Sequence, residues 1–297
     1  MNTPLKLAGF GLGLGAVMGA GLLAGQAVGP VGDSPDGEAH GALSHYPGPV
    51  AEGDVAGLRV SEGGFTLVPE TSELDVAQPA PFRFRITGPD GAPLRSYRVE
   101  HDRELHLIVA SRDLTWFSHV HPTRDPGGTW SVPLQAPRPG PYRAFADFAP
   151  TSGDKLVLGV DLSAAGEFRP LPLPAPQVRS AVGGYDVSLD GAPRAAGLAT
   201  VTMGVQRGGR PVTDLQPYLG AYGHLVALRA GDLAYLHVHP EGEPGDGQTR
   251  PGPDVRFGVE LPSAGDYRLF FDFQHDGTVR TADFTVSVPP GADRETP

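Results

Sequence analysis

The 297-residue chain is long enough for two ordinary hydrophobic cores, and its formal net charge of −11 argues against a nucleic-acid partner. It contains no cysteine, which excludes disulfides, thiolate metal sites, thiol catalysis and lipoprotein acylation. Its 42 glycines and 32 prolines favour strands and turns over helices.

The N-terminal segment, residues 1–28, is predicted to direct the chain out of the cytoplasm. Residues 7–28 form an uncharged run rich in Gly, Ala and Leu after Lys6, which is typical of a cleaved signal peptide or a retained membrane anchor. Both alternatives predict an extracytoplasmic protein, secreted, periplasmic or at the cell surface, that meets the membrane only through residues 7–28. Residues 29–57 are rich in Gly, Pro, Ala and Asp and predict a flexible tether.

Short apolar runs separated by turn residues fill the rest of the chain. This pattern predicts an all-β protein of two tandem immunoglobulin-like β-sandwich domains, at residues 58–165 and 181–289. A proline-rich linker, residues 166–180, joins them, because proline favours the extended polyproline conformation. Residues 290–297 are predicted to be a tail.

One motif that occurs in both domains is a histidine followed thirteen residues later by His-Val-His-Pro. It begins at His106 in the first domain and at His224 in the second. The two apolar runs within each copy predict a hairpin with a four-residue loop, in which His106 lies opposite His119 and His224 opposite His237. Since residues two apart share a face of a strand, three imidazoles are expected to converge in each domain.

These imidazoles form the predicted metal sites. Neutral imidazoles suit Zn²⁺, Cu²⁺ or Ni²⁺, with water or a carboxylate in the remaining position, and copper or zinc is the predicted cofactor. The predicted ligands are His106, His119 and His121 in the first domain and His224, His237 and His239 in the second.

Four acidic residues and two further histidines are secondary candidates. Asp125 and Glu243 follow the hairpin motif in loops and are expected to be solvated. Asp147 and Asp272 occupy corresponding positions, and each could simply pair with a neighbouring arginine. The remaining candidates, each present in one domain only, are His101 and His275.

A second repeated motif, PxxGxYRxFxDF, covers residues 137–148 and 262–273. A Gly-x-Tyr before an alternating strand is similar to the tyrosine corner of immunoglobulin-like sandwiches, in which the phenol bonds to nearby backbone. Tyr142 and Tyr267, with Phe145 and Phe270, are therefore predicted to be structural.

The histidines also have a purely structural interpretation. In the first hairpin, Leu105, Leu107 and Val109 lie on one face, and apolar side chains accompany the histidines on the other. Both faces are therefore apolar, and hydrogen-bonded core histidines would fit there as well as metal ligands.

The histidine segments HLIVASRDLTWFSHVHP and HLVALRAGDLAYLHVHP, together with FTLVPETSEL and FRFRITGPDG, resemble a group of exported bacterial proteins with H-x12-HxHP repeats, many of them actinobacterial. That resemblance implies heavy-metal or copper handling. The HVH fragment is also similar to those of copper/zinc superoxide dismutases and, with Glu243, of cupins.

The leading hypothesis is an exported copper or zinc carrier or buffer, whose partner would be a membrane metal transporter or another exported protein. One alternative is a structural or interaction module of a cell-surface assembly with core histidines. A metal-dependent oxidoreductase is the other. The sequence offers no nucleophile with its base, phosphate loop or paired catalytic carboxylates, which favours a role without catalysis.

Overall fold

The computed structural model of the chain describes residues 55–195 and 197–289, apart from the side chains of His237 and His239. The predicted signal or anchor segment, nearly all of the predicted tether and the predicted tail lie outside the described residues. Among the residues described, no helix has the length and apolar character needed to cross a membrane.

The described secondary structure is β throughout. The strands of the first repeat are β1 (Ser61–Glu62), β2 (Phe65–Pro69), β3 (Glu73–Leu74), β4 (Ala80–Thr87), β5 (Tyr97–Arg98), β6 (Leu105–Ser111), β7 (Phe117–Val120), β8 (Thr123–Arg124), β9 (Thr129–Leu134), β10 (Gly140–Pro150) and β11 (Leu156–Ala164). Those of the second are β12 (Arg179–Val182), β13 (Tyr185–Asp190), β14 (Leu198–Arg207), β15 (Arg210–Pro211), β16 (His224–Arg229), β17 (Tyr235–Pro240), β18 (Asp254–Glu260), β19 (Gly265–His275) and β20 (Thr278–Val288).

The first repeat is a two-sheet sandwich. One sheet has the order β1-β2-β4-β9-β8 and the other β3-β11-β10-β6-β7, with β5 paired to β10. Strand β3 runs parallel to β11, and the other pairs are antiparallel. Aromatic side chains of the first sheet, such as Phe84 and Trp130, pack against β6 and β10 of the second. The predicted immunoglobulin-like sandwich is confirmed.

The second repeat has the same plan with one difference in strand pairing. Its order is β12-β13-β14-β18-β17-β16-β19-β20, with β15 on β14. Strand β17 pairs with β16 along most of its length and with β18 at its end, where His239 lies opposite Gly258. One ladder therefore passes from one layer into the other, and the apolar side chains between the layers form a single core.

Both predicted tyrosine corners are present. The Tyr142 hydroxyl donates to the Arg138 carbonyl at 2.7 Å, and the Tyr267 hydroxyl donates to the Ser263 carbonyl at 2.9 Å. Each phenol reaches four residues back and ties the start of the long strand to the preceding loop. The structural role predicted for these tyrosines is confirmed.

Both faces of β6 are buried, and they face different neighbours. Leu105, Leu107 and Val109 point into the core of their own sandwich. The alternate residues of the strand share the opposite face with His106, and all seven residues of the strand are buried. A strand at the surface of a single sandwich would expose that second face, so another layer must cover it.

The covering layer is the other repeat. A separate apolar cluster, which we call the seam, joins the two sandwiches through the following buried residues: Ile108, Ala110, Leu114, Phe145 and Val157 from the first repeat, and Val226, Leu228, Leu233, Tyr235 and Phe270 from the second. Phe117 stacks on Phe270 with ring centroids 4.1 Å apart, and Tyr235 packs on Phe145 at 5.5 Å. Phe117 corresponds to Tyr235 in the repeat, and Phe145 corresponds to Phe270. The two pairs are therefore the same contact made once in each direction, as in the self-complementary interface of a two-fold dimer.

The buried Arg268 packs against one side of the seam. It is 1% exposed, its Nε donates to the Leu114 carbonyl of the first repeat at 3.2 Å, and its guanidinium lies 5.4 Å from the centre of the Phe270 ring. Its counterpart, Arg143, instead donates to the carbonyl of Gly57. The apolar contacts across the seam are thus nearly symmetric, whereas the polar contacts are not.

We expect Phe270→Ala to lower the free energy of unfolding by about 3–5 kcal/mol, because it removes a ring that is 3% exposed at the seam. Urea denaturation measures the loss. Val99→Ala, at a side chain that is 66% exposed, is the control and should change stability by no more than about 0.5 kcal/mol. A Phe270→Ala loss no larger than that of the control would contradict a packed seam.

Candidate metal centre

The three histidines of the first repeat meet at one end of the seam. His106 lies near the start of β6, His119 lies in β7, and His121 follows β7 directly. His106 Nδ1 is 3.1 Å from His119 Nε2 and 3.2 Å from His121 Nε2. All three nitrogens lie within 4.8 Å of one another, so one ion could be reached by each of them.

The predicted pairing of the hairpin was wrong by two residues. Ile108, and not His106, lies opposite His119, and continuing this register places His106 opposite His121. The four-residue loop begins one position later than predicted, because the Ser111 amide still bonds to the Trp116 carbonyl at 3.0 Å. A shift of two keeps every side chain on its face, so the histidines converge all the same.

The second hairpin shows the same correction. Val226 lies opposite His237, and Leu225 lies opposite Val238. The predicted pairing of His224 with His237 is therefore wrong by the same two residues.

Each of two histidines is oriented by a hydrogen bond from the ring nitrogen that faces away from the cluster. His106 Nε2–H donates to the Glu100 carbonyl at 3.1 Å. His119 Nδ1–H donates to the Asp272 carboxylate of the second repeat at 2.8 Å, where both side chains are almost fully buried. Asp272 is held in turn by the Thr281 hydroxyl at 2.5 Å. Such outer partners fix the tautomer and raise the basicity of a metal-ligating imidazole.

These hydrogen bonds commit one ring N–H group of His106 and one of His119 to acceptors outside the cluster. When both rings are neutral, with His106 protonated at Nε2 and His119 at Nδ1, the two nitrogens that face each other at 3.1 Å both present lone pairs. Among the described residues, His121 can then supply a donor to His106 Nδ1, at 3.2 Å. A cation between the lone pairs would remove the repulsion, which is the electrostatic signature expected of a ligand set.

Burial keeps His106 and His121 neutral. Desolvation lowers the pKa of His106 to about 4, and desolvation together with the neighbouring His119 and His106 lowers the pKa of His121 to about 2. Both are below the ordinary histidine value of about 6.5. Neutral imidazole is the form that binds a metal, so at neutral pH no proton has to be displaced.

In the second repeat the structure describes one member of the predicted triad. His224 Nε2–H donates to the Tyr218 carbonyl at 2.8 Å, the same bond to the sixth preceding residue that His106 makes. Desolvation lowers its pKa to about 4. The side chains of His237 and His239 lie outside the described part of the chain, so the second predicted triad stays a prediction.

Among the secondary candidates, the acids expected to be solvated are exposed. Asp125 accepts the Thr129 amide at 2.8 Å within its own loop, and Glu243 is exposed in the loop after β17. His275 lies in the core of the second repeat, bonded to Tyr185 at 2.7 Å.

Asp147 and Asp272 are the site residues whose role the sequence analysis misjudged. Asp147 pairs with Lys155 at 3.2 Å and Asp272 with His119, so the expected pairing with arginines was wrong. In each repeat the aspartate lies directly opposite the first histidine, Asp147 beside His106 and Asp272 beside His224. Each aspartate lies two residues after a seam phenylalanine, Phe145 or Phe270. Because residues two apart share a face of a strand, this spacing indicates that the aspartates lie on the histidine face.

We expect the metal-free protein to lose stability as the pH falls from about 6.5 to about 4. The pKa of His106 and of His224 is about 4 in the fold, against about 6.5 in the unfolded chain, which therefore binds more protons in this window. Urea unfolding with a chelator at several pH values measures the slope. In His106→Leu the slope should be shallower by up to about 1.4 kcal/mol per pH unit, and an unchanged slope would contradict a buried neutral histidine.

Among solved structures, the chain is similar to the Escherichia coli adhesin FdeC, at 12% identity, with 77% of this chain and 65% of that chain covered and a TM-score of 0.25. It is also similar to invasin, described as a bacterial integrin-binding protein (12%, 76% and 39%, TM-score 0.23), and to the Yersinia pseudotuberculosis adhesin InvE (10%, 77% and 60%, TM-score 0.24). The chain spans less than two thirds of the length of each of these chains.

A comparison with curated proteins gives no match. One family model matches the chain twice, over residues 60–165 and again over residues 180–290, once for each sandwich. The chain therefore belongs to the family described as "Domain of unknown function (DUF8832)".

Proposed function

We propose that this protein is an extracytoplasmic metal-binding protein, a carrier or buffer of Cu²⁺ or Zn²⁺, whose ion is held by His106, His119 and His121. The observation that carries the proposal is the 3.1 Å approach of His106 Nδ1 to His119 Nε2. Each of these rings has its other nitrogen bonded to an acceptor, so the two nitrogens that face each other are both oriented to bind one cation.

The spacing of the nitrogens supports the proposal. Two imidazole nitrogens bound at 2.0–2.1 Å to one tetrahedral ion are about 3.3 Å apart. His106 Nδ1 lies 3.1 Å and 3.2 Å from its two neighbours. Loading an ion would therefore require small side-chain movements, with the backbone of β6 and β7 left in place.

Charge also supports a divalent ion. The ligands would be three neutral imidazoles, and the Asp272 carboxylate bonded to His119 would supply negative charge one shell away. Three protein ligands leave a further coordination position to an exchangeable ligand, which suits a protein that takes up an ion and releases it. Copper binds such nitrogen sites more tightly than zinc, so in the cell metal supply would decide between them.

We infer an extracytoplasmic location from the predicted signal or anchor segment. The uncharged run at residues 7–28 is the expected export signal or anchor, and an exported metal carrier would deliver its ion to a membrane transporter or another exported protein. His121 directly follows β7 and is half-buried, so such a partner could reach the ion at this ligand.

A structural or interaction module is the second candidate function. It is favoured by one observation, that the rings of His106 and His119 are buried and approach one another at hydrogen-bonding distance, as core histidines would. In that case the cluster would only hold the repeats together, and chelators would leave the protein unchanged.

We expect the full-length protein to bind Cu²⁺ or Zn²⁺ tightly, and His119→Ala to abolish the tightest binding phase, because this ligand joins the triad to Asp272. Isothermal titration calorimetry measures both. His45→Ala, which removes a histidine of the predicted tether, is the matched control and should keep that phase. Parent protein that binds no ion, or a folded His119→Ala variant that binds as the parent does, would favour the structural module.

We expect Asp272→Asn to weaken binding at the triad by about 10- to 100-fold, because the neutral amide no longer raises the basicity of His119. Competition with a chelator of known affinity measures the change. Asp161→Asn removes the same charge from a side chain that is 82% exposed, and it should leave the affinity unchanged. Equal affinities in the two variants would show that Asp272 does not act on the ion.

A further inference from the structure

His101 occupies an unusual backbone position beside the triad. Glu100 and Arg103 exchange two backbone hydrogen bonds, of 2.8 and 3.1 Å, around a two-residue turn. The central residues, His101 and Asp102, have φ of 50° and 61°. Such a turn favours Asn, Asp or Gly, and histidine is among the residues that tolerate the left-handed region.

The second repeat makes the same turn without a histidine. Tyr218 and Ala221 exchange the two bonds, and the central residues are Leu219 and Gly220, with φ of 53° and 73°. The turn therefore forms without an imidazole, and its geometry does not explain His101. Both repeats hold a non-glycine residue in the left-handed region at the equivalent position, His101 and Leu219, and the two turns differ in the side chain that they carry there.

The ring of His101 lies between the first histidines of the two repeats. Its centroid is 5.3 Å from that of His224, with the rings at 83°, and 6.3 Å from that of His106. Within the triad the three centroid separations are 5.4, 5.0 and 4.9 Å. The His101–His224 pair thus has the spacing of the imidazoles that we assign to one ion.

The orientation of His224 leaves a ligand atom available. Its Nε2–H is committed to the Tyr218 carbonyl at 2.8 Å, so Nδ1 of the neutral ring carries the lone pair. The matching bond in the first repeat, from His106 to Glu100, leaves Nδ1 of His106 as the nitrogen that faces its triad partners.

We propose that His101 and His224 form a second metal position, built from both repeats and adjoining the triad. It would take the same class of ion, Cu²⁺ or Zn²⁺, with exchangeable ligands in the remaining positions. This inference rests on the proposed function and deepens it, because a weaker position beside a tight one provides a path for an ion to enter or leave.

The charges around His101 also point to weaker binding. The Asp147 carboxylate favours a cation near His101, whereas the Lys155 ammonium opposes one. Those two groups are themselves paired at 3.2 Å, so their effects largely offset each other. The triad, by contrast, has the Asp272 carboxylate bonded directly to one of its rings.

The test is a titration of the full-length chain with Cu²⁺ and with Zn²⁺, followed by calorimetry. The parent should bind a first ion tightly and a second more weakly, and His101→Asn should lose the second phase while keeping the first. Asparagine tolerates the left-handed turn, so this variant removes the imidazole and should fold normally. Asp102→Asn, at the other left-handed position of the turn, is the matched control and should keep both phases.

The outcomes separate this inference from the proposed function. His119→Ala should lose the tight phase. In the Cu²⁺-loaded parent, two ions at adjoining positions should broaden each other's electron paramagnetic resonance spectrum. A second phase that is unchanged in His101→Asn, or a parent that binds only the tight ion, would overturn the second position and leave the triad standing. A parent that binds no ion would overturn both.

Discussion

The hydrogen bond from His119 to Asp272 is the interaction on which the rest of the described structure depends. It joins the two repeats at a point where both side chains are almost fully buried. A buried carboxylate is costly unless it is paired and hydrogen-bonded, and Asp272 meets this condition only when His119 of the other repeat and Thr281 of its own are both in place. The same hydrogen bond therefore contributes to the docking of the sandwiches and orients a ligand of the proposed site.

The seam explains why the histidines lie where they do. Within each sandwich, one face of the central strands covers the sandwich's own core, and the other carries a histidine, aliphatic side chains and an aspartate. The aliphatic and aromatic residues of that second face hold the repeats together, and burial in this layer keeps His106 and His224 neutral. Packing and the capacity to bind an ion are thus properties of the same surface.

The two repeats share a plan but differ in their polar groups. The aromatic contacts of Phe117 with Phe270 and of Tyr235 with Phe145 join equivalent positions. The aspartates have different described contacts, since Asp272 accepts from His119, whereas Asp147 accepts from the Tyr235 hydroxyl and pairs with Lys155. The turns before the first histidines differ as well, since His101 in the first repeat corresponds to Leu219 in the second.

The strands, the two repeats, the tyrosine corners and the face on which the histidines lie could all be predicted from the sequence, because these features follow from local periodicity and from motifs that occur twice. The predicted register of the hairpins was wrong, since moving the loop by one residue shifts the pairing by two and leaves the pattern of alternation unchanged. The shared seam and the bond between His119 and Asp272 became evident only in the folded structure. His119 and Asp272 lie 153 positions apart in the sequence. The local pattern of a strand does not indicate which distant surface will pack against it.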